Sequence, residues 1–162
     1  MNSPELDTKD RFAFRPARGD DLPTILRLLA DDPLGKFREQ VLDGGAVADS
    51  YRAAFNVITA DPRNHILVAS VDGAVHGCLQ LTFIPGLTYG GRERAQIEAV
   101  RVSAAMRGKG VGRALLGHAI GLARERGCAL VQLTTDKRRL EALAFYRALG
   151  FAASHEGMKL GL

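Results

Sequence analysis

Arg107-Gly108-Lys109-Gly110-Val111-Gly112 is the stretch on which the reading of this fold turns. It follows a strand-like run, Gln96 to Val102, and opens a helix-like run, Val111 to Arg126. A glycine-rich turn feeding a helix N-terminus presents unsatisfied backbone N–H groups, and the helix dipole adds partial positive charge there. Arg107, Lys109 and Arg113 bring side-chain charge to the same turn. The combination predicts a site for a phosphorylated small molecule.

Working outward, the helix after the turn sets Val111, Leu115, Ala119 and Leu122 on one face and ends at Gly127. Cys128 to Thr134 reads as the next strand, parallel to 95–102 because a helix connects them. A further helix spans Leu140 to Leu149, with Leu140, Leu143, Ala144 and Arg147 at helical spacing, and stops at Gly150. Phe151–Ala153 and Met158–Leu160 read as closing strands.

Upstream, Phe12–Arg15 is a short strand, and Asp20 is the expected N-cap of a helix through Asp31 with Leu22, Ile25, Leu26 and Leu29 inward. Pro33–Gly45 reads as a loop or short helix, and Val47–Ala60 as a second helix. Asp72-Gly73 joins His65–Val71 to Ala74–Phe83 in a tight hairpin, and the strand Ala95–Val102 follows a glycine-rich connection. The order βααβββαβαββ predicts an α/β (α+β) fold with one mixed sheet and helices on both faces. Met1–Arg11 reads as a flexible or disordered lead, and 12–162 as one domain.

Composition narrows the functions. With 46% hydrophobic and 25% charged residues the chain reads as an ordinary globular protein, and no apolar run approaches the ~20 residues of a membrane span. The charged N-terminus does not read as a secretory signal, so a cytoplasmic location is expected. A net charge of +4 suits an anionic ligand, but three Tyr, seven Phe, no Trp and no basic-aromatic stripe argue against nucleic acid. Cys78 and Cys128 sit in apolar runs and read as buried, reduced thiols; neither has zinc-type spacing with the four histidines, so no metal is expected.

Three glycine patterns compete for the turn. A Walker loop needs Gly, four residues, then Gly-Lys-Ser/Thr, which this chain lacks. A dinucleotide fingerprint fits Gly108 and Gly110 but finds Arg113 at its third glycine, and too little chain follows Asp136 for the rest of such a domain. The third pattern, Arg-x-x-Gly-x-Gly, is met by Arg107, Gly110 and Gly112. Together with Ile97-Glu98-Ala99-Val100-Arg101-Val102 and Ala142-Leu-Ala-Phe-Tyr146-Arg-Ala-Leu-Gly150-Phe151, it resembles the GNAT superfamily of acetyl-CoA-dependent N-acetyltransferases. The likeness runs from about Phe12 to the C-terminus.

The resemblance implies that Arg107, Gly108, Lys109, Gly110, Val111 and Gly112 cradle the CoA pyrophosphate, chiefly through backbone N–H groups. Amide formation from a thioester needs a neutral amine, a stabilised oxyanion and a proton for the leaving thiolate. Glu98 is the only acid in Gln96–Val102. By residue type it is a solvent-facing strand position; the family makes it the general base, acting through water. Ile97 and Ala99 are in phase with each other but out of phase with Val100 and Val102, a mismatch that one β-bulge near Ala99–Val100 would remove. In the family such a bulge splays this strand from 128–134, opening a slot beside Val100 and Val102, and frees the Val100 N–H for the thioester carbonyl. Tyr146 is the family's general acid, against the plainer reading of a core tyrosine with its hydroxyl at the rim.

One departure stands out. Where the family often has a cofactor-contacting Asn before this tyrosine, the chain has Arg139, within Asp136-Lys-Arg-Arg139. Arg138 or Arg139 meets a CoA phosphate or an acidic substrate, or the run is a solvated helix start. A similar run in a subgroup resembling aminoalkylphosphonate N-acetyltransferases points to a small amine acceptor with an anionic group. The resemblance leaves a homodimer open. His65, His76, His118 and His155 are read as structural, with His155 the one to test. Segments 33–50 and Pro85–Arg94 are expected to recognise the acceptor. The expected chemistry is direct attack of a primary amine on acetyl-CoA in a ternary complex; the rival is a non-catalytic acyl-CoA-binding sensor or regulatory module.

Overall fold

The computed structural model describes residues 12–33, 39 and 46–162. The expected lead 1–11 and most of the recognition segment 33–50 therefore lie outside the described residues. The elements are β1 (Ala13–Pro16), α1 (Leu22–Ala30), α2 (Asp49–Ala60), β2 (Asn64–Val71), β3 (Ala74–Ile84), β4 (Arg94–Val102), α3 (Val111–Glu125), β5 (Val131–Leu133) and α4 (Leu140–Arg147). The sheet order is β1-β2-β3-β4-β5, antiparallel except for the parallel pair β4–β5 that the α3 crossover dictates.

Alternation along the strands decides which helix lies where. Leu67, Ala69, Leu79, Leu81, Phe83, Ala95 and Ile97 face one side and pack on Val111, Leu115, Leu116, Ala119 and Ala123 of α3. On the other side Ile25 and Leu28 of α1 pack on Val68 and Cys78, and Phe55 of α2 joins Leu22, Leu26 and Val47. Each fully buried Leu or Ile contributes roughly 1.5–3 kcal/mol, so the α3 face, with the longer roll of buried side chains, holds the sheet most firmly. The β2–β3 hairpin closes as expected, with Asp72 at φ 50° and Gly73 at φ 81°, the two left-handed residues of a primed turn.

Several expectations are corrected. A 3₁₀ turn at Gly19–Asp21 precedes α1, and Asp21 rather than Asp20 organises its entry. The Asp21 carboxylate accepts the Arg18 N–H at 2.7 Å and the Arg15 guanidinium at 2.6 and 2.9 Å. Bonding to Arg15 holds that carboxyl below its ordinary pKa. Leu29 packs inward as expected, and Leu28 is buried beside it, because α1 leans its later turn on Val68 and Cys78.

The strand expected over 128–134 is confined to Val131–Leu133, since β4 offers only Ala95–Ile97 to pair with it. Cys128 is accordingly half-buried rather than buried. The α4 face is phased differently: Leu140 is 71% exposed, while Phe145, Tyr146 and Leu149 pack inward. Finally, 151–153 and 158–160 form no strands. Met158, Leu160 and Leu162 are exposed, and β5 stays the edge strand of the sheet.

Candidate active site

The glycine turn is built by backbone geometry. Gly108 and Gly110 take φ of 74° and 88°, values that L side chains rarely adopt. Gly110 is the N-cap of α3 and no side chain caps the helix. Internal bonding resumes with the Ala114 N–H to the Gly110 carbonyl at 3.0 Å. Among the described residues the N–H groups of Gly108, Gly110, Val111, Gly112 and Arg113 have no acceptor. These donors converge on a positive helix end, an arrangement that binds phosphate oxygens. Gly112 answers a different need: a Cβ there would lie 3.5 Å from Phe145 Cζ and Val102 Cγ2, so α3 starts close against α4 and β4.

The side chain of Arg107 lies on the surface and bonds back to the scaffold. Its Nη2 donates to Asp31 Oδ2 at 2.6 Å and to the Asp31 carbonyl at 3.3 Å, and its Nε donates to the Val102 carbonyl at 3.2 Å. Arg107 thus ties the turn to the end of α1 and the end of β4. Lys109 is exposed and carries the outward charge of the turn.

The bulge inferred from the phase mismatch is present. Gln80 pairs with Glu98 and Cys78 with Arg101, so Leu79 faces both Ala99 and Val100. Ala99 adopts φ 54°, the left-handed conformation that admits the extra residue. As a result Ala95 and Ile97 before the bulge, and Val100 and Val102 after it, pack into the same core. Beyond Ile97, β4 has no strand partner on its β5 side, so the two parallel strands part there.

Glu98 lies at this parting, exposed, beside Gln80 on the sheet face covered by α1. Tyr146 lies on α4, packed among Phe145 and Phe151 at ring separations of 5.3 and 6.0 Å. Burial pushes its phenol above the ordinary tyrosine range, while the Arg101 and Arg139 cations pull in the opposite direction. The phenol therefore holds its proton at neutral pH. Glu98 and Tyr146 share no hydrogen bond.

Sequence reasoning missed Asp32 and Arg101. Asp32 Oδ2 accepts Arg101 Nη2 at 2.7 Å and Arg139 Nη2 at 2.6 Å, with its side chain only 1% exposed. Bonding to Asp32 raises the pKa of Arg139. Arg101 is a charge between two valines in a strand, a signal of the same kind that singled out Glu98. Arg138 folds back on Asp136 at 2.7 Å and holds that half-buried carboxyl well below the usual carboxylate range.

The remaining candidates take structural places. Burial pushes the Cys78 thiol up to about 12, and partial burial raises Cys128 as well, so neither is a thiolate at neutral pH. His118 stacks on Phe14, His65 meets Phe83 edge-on, and His76 and His155 pair with Ser103 and Ser154. In the loop before β4, Tyr89 (φ 54°) and two left-handed glycines form a 3₁₀ turn, leaving Leu87 fully exposed. Among the described residues no group of His, Cys, Asp or Glu is arranged to hold a metal ion, and no helix is long and apolar enough to cross a membrane.

Known proteins share this architecture. A family model for the acetyltransferase (GNAT) family matches residues 25–151. Streptothricin acetyltransferase of Streptomyces lavendulae is 32% identical over 149 residues, covering 91% of this chain and 67% of that protein. Glucosamine 6-phosphate N-acetyltransferase of Trypanosoma brucei brucei is 37% identical over 90 residues, covering 56% of this chain and 59% of that protein. A crystal structure of a transcriptional regulator from Bacillus halodurans C-125 is 47% identical, with a TM-score of 0.89 over 93% of this chain and 99% of that one. The glycine turn at the start of α3, the bulged and splayed β4, and a match running through both place this chain in the GNAT acetyltransferase family.

Proposed function

We propose that the protein is an N-acetyltransferase that moves an acetyl group from acetyl-CoA to a primary amine by direct attack in a ternary complex. The observation that carries the reading is the set of backbone donors at Gly108, Gly110, Val111, Gly112 and Arg113, aimed from a helix N-terminus and joined to the parting of β4 and β5. The donors hold the pyrophosphate of CoA, with Lys109 adding charge. The splay beside Val100 and Val102 admits the pantetheine arm, and the Val100 N–H donates to the thioester carbonyl as charge develops on it. Glu98 accepts the amine's proton through water. Tyr146 gives its proton to the sulfur as the carbon–sulfur bond breaks and the carbon–nitrogen bond forms.

Neither cysteine supports a covalent acyl-enzyme, since burial disfavours both thiolates. Arg139 bonds to Asp32 through Nη2, and the other N–H groups of its guanidinium have no acceptor among the described residues. It is free to meet an anionic group on the donor or on the acceptor. A small amine carrying such a group is the acceptor class this favours. Free-thiol release from acetyl-CoA with a panel of small amines, some bearing phosphonate, phosphate or carboxylate, tests the reading. Release with none of them overturns it.

A second reading has one observation behind it: the 47% identical Bacillus halodurans structure is described as a transcriptional regulator. A regulatory acyl-CoA sensor keeps the glycine turn but has no use for Glu98 and Tyr146. Tight acetyl-CoA binding without thiol release from any amine would favour it.

A further inference from the structure

We propose that Asp32 is a positioning residue of the transfer site: its buried carboxylate holds Arg101 and Arg139, and so fixes the bulge of β4 relative to the helix that carries Tyr146. This deepens the acetyltransferase reading and rests on it for the role of Tyr146. One carboxylate oxygen, Asp32 Oδ2, joins three elements. Asp32 follows α1, Arg101 lies in β4 just past Ala99, and Arg139 is the N-cap of α4. Arg101 also donates from Nη1 to the carbonyl of Val100 at 2.8 Å, so the clamp grips the backbone of the bulge itself.

Stability alone is a poor account of this cluster. A buried ion pair recovers little more than its desolvation cost, and apolar side chains of similar volume often serve the fold as well. The Nε of Arg101 is buried without an acceptor, a further cost. What the cluster supplies is position and charge. Tyr146 is faced by Arg101 from β4 and Arg139 from α4, with Asp32 bonded to both from the end of α1 and the rings of Phe145 and Phe151 beside it. Among the described residues, these two cations against one anion leave the surroundings of the phenol net positive, which favours its release of a proton to a leaving thiolate.

A double-mutant cycle on the full chain tests this. Asp32→Asn should lower kcat about tenfold with the KM for acetyl-CoA within about twofold, and should cost almost nothing further in a Tyr146→Phe background. Equal losses in both backgrounds would mark Asp32 as a staple of the fold and overturn the proposal. If Asp32→Asn does not fold, Asp32→Leu/Arg101→Met/Arg139→Met replaces it. That variant should fold and be slow, and a wild-type kcat from it would overturn the proposal.

A readout without turnover separates this proposal from the enzymatic reading. The ionisation of Tyr146, taken as the ultraviolet difference between the parent and Tyr146→Phe, should move by about half a pH unit or more in Asp32→Asn. It moves down if both arginines stay and up if either leaves. If no amine is acetylated and this titration still moves, the enzymatic reading fails and the clamp stands. A titration that does not move overturns the clamp whatever the activity.

Discussion

The two halves of β4 are made of similar residues and do different work. Ala95–Ile97 is paired on both edges, to β3 and to β5, with Ala95 and Ile97 sealed beneath α3. Val100–Val102 also faces that core but is paired only to β3. Ala99, in its left-handed conformation, is the joint between them. A strand that loses one partner must place those backbone groups elsewhere, because unpaired buried N–H and C=O groups are costly. The lower half thus spends its hydrogen bonds on the sheet, while the Val100 and Val102 carbonyls of the upper half accept from Arg101 and Arg107, and in the proposed reaction the Val100 N–H serves the ligand. The candidate site lies where pairing to β5 stops, next to the bulge.

The comparison breaks most visibly at Ile97. It is 1% exposed and fills the lower half, so Ile97→Ala should cost about 3 kcal/mol by cavity formation. Thermal unfolding should shift down by roughly 6–12 °C. The kcat of the folded fraction should stay within about threefold of the parent, as expected of a residue whose work is packing. A collapse of activity with an unchanged melting temperature would mean the two halves are not separable.

Tyr146→Phe should show the reverse pattern. Loss of the proton donor should lower kcat about a hundredfold, near 2.7 kcal/mol, with little change in acetyl-CoA affinity. Burial raises the Tyr146 pKa in the folded protein, so the phenol keeps its proton through and beyond the ordinary tyrosine range. The alkaline fall in kcat due to this group should therefore have its midpoint above the ordinary tyrosine range and vanish in the variant. Equal activity would remove Tyr146 from the chemistry.

How much of this was legible follows from the range of each interaction. The bulge could be read because the phase of four neighbouring apolar residues, Ile97, Ala99, Val100 and Val102, is a local property. The glycine turn and the Asp72-Gly73 hairpin are equally local. The length of β5 was not legible, since it depends on where β4 turns away from it. The inward face of α4 was written in the chain as Phe145, Tyr146 and Leu149, but the competing series from Leu140 is also helical in spacing. The Asp32 cluster joins residues 69 and 107 positions apart, and no periodicity reports such a contact. Buried ion pairs across a fold become visible only once the strands and helices are in place.

Glu98 tests the joint between the two halves with the smallest expected effect. It is exposed and paired across from Gln80, so Glu98→Gln should leave stability within about 0.5 kcal/mol. Its consequence belongs to pH. An alkyl amine has a pKa of ~10, so near neutrality nearly all of it is protonated, and a general base has the most to do there. Removing that base should cost about tenfold in kcat/KM at pH 7. As pH rises toward the amine's own pKa, more of the acceptor arrives neutral and the deficit should shrink. The variant's rate should therefore climb more steeply with pH than the parent's and approach it at the alkaline end. Parallel profiles with a constant deficit would make Glu98 a binding group for the ammonium, and superimposable ones would return it to the role of a solvated strand residue.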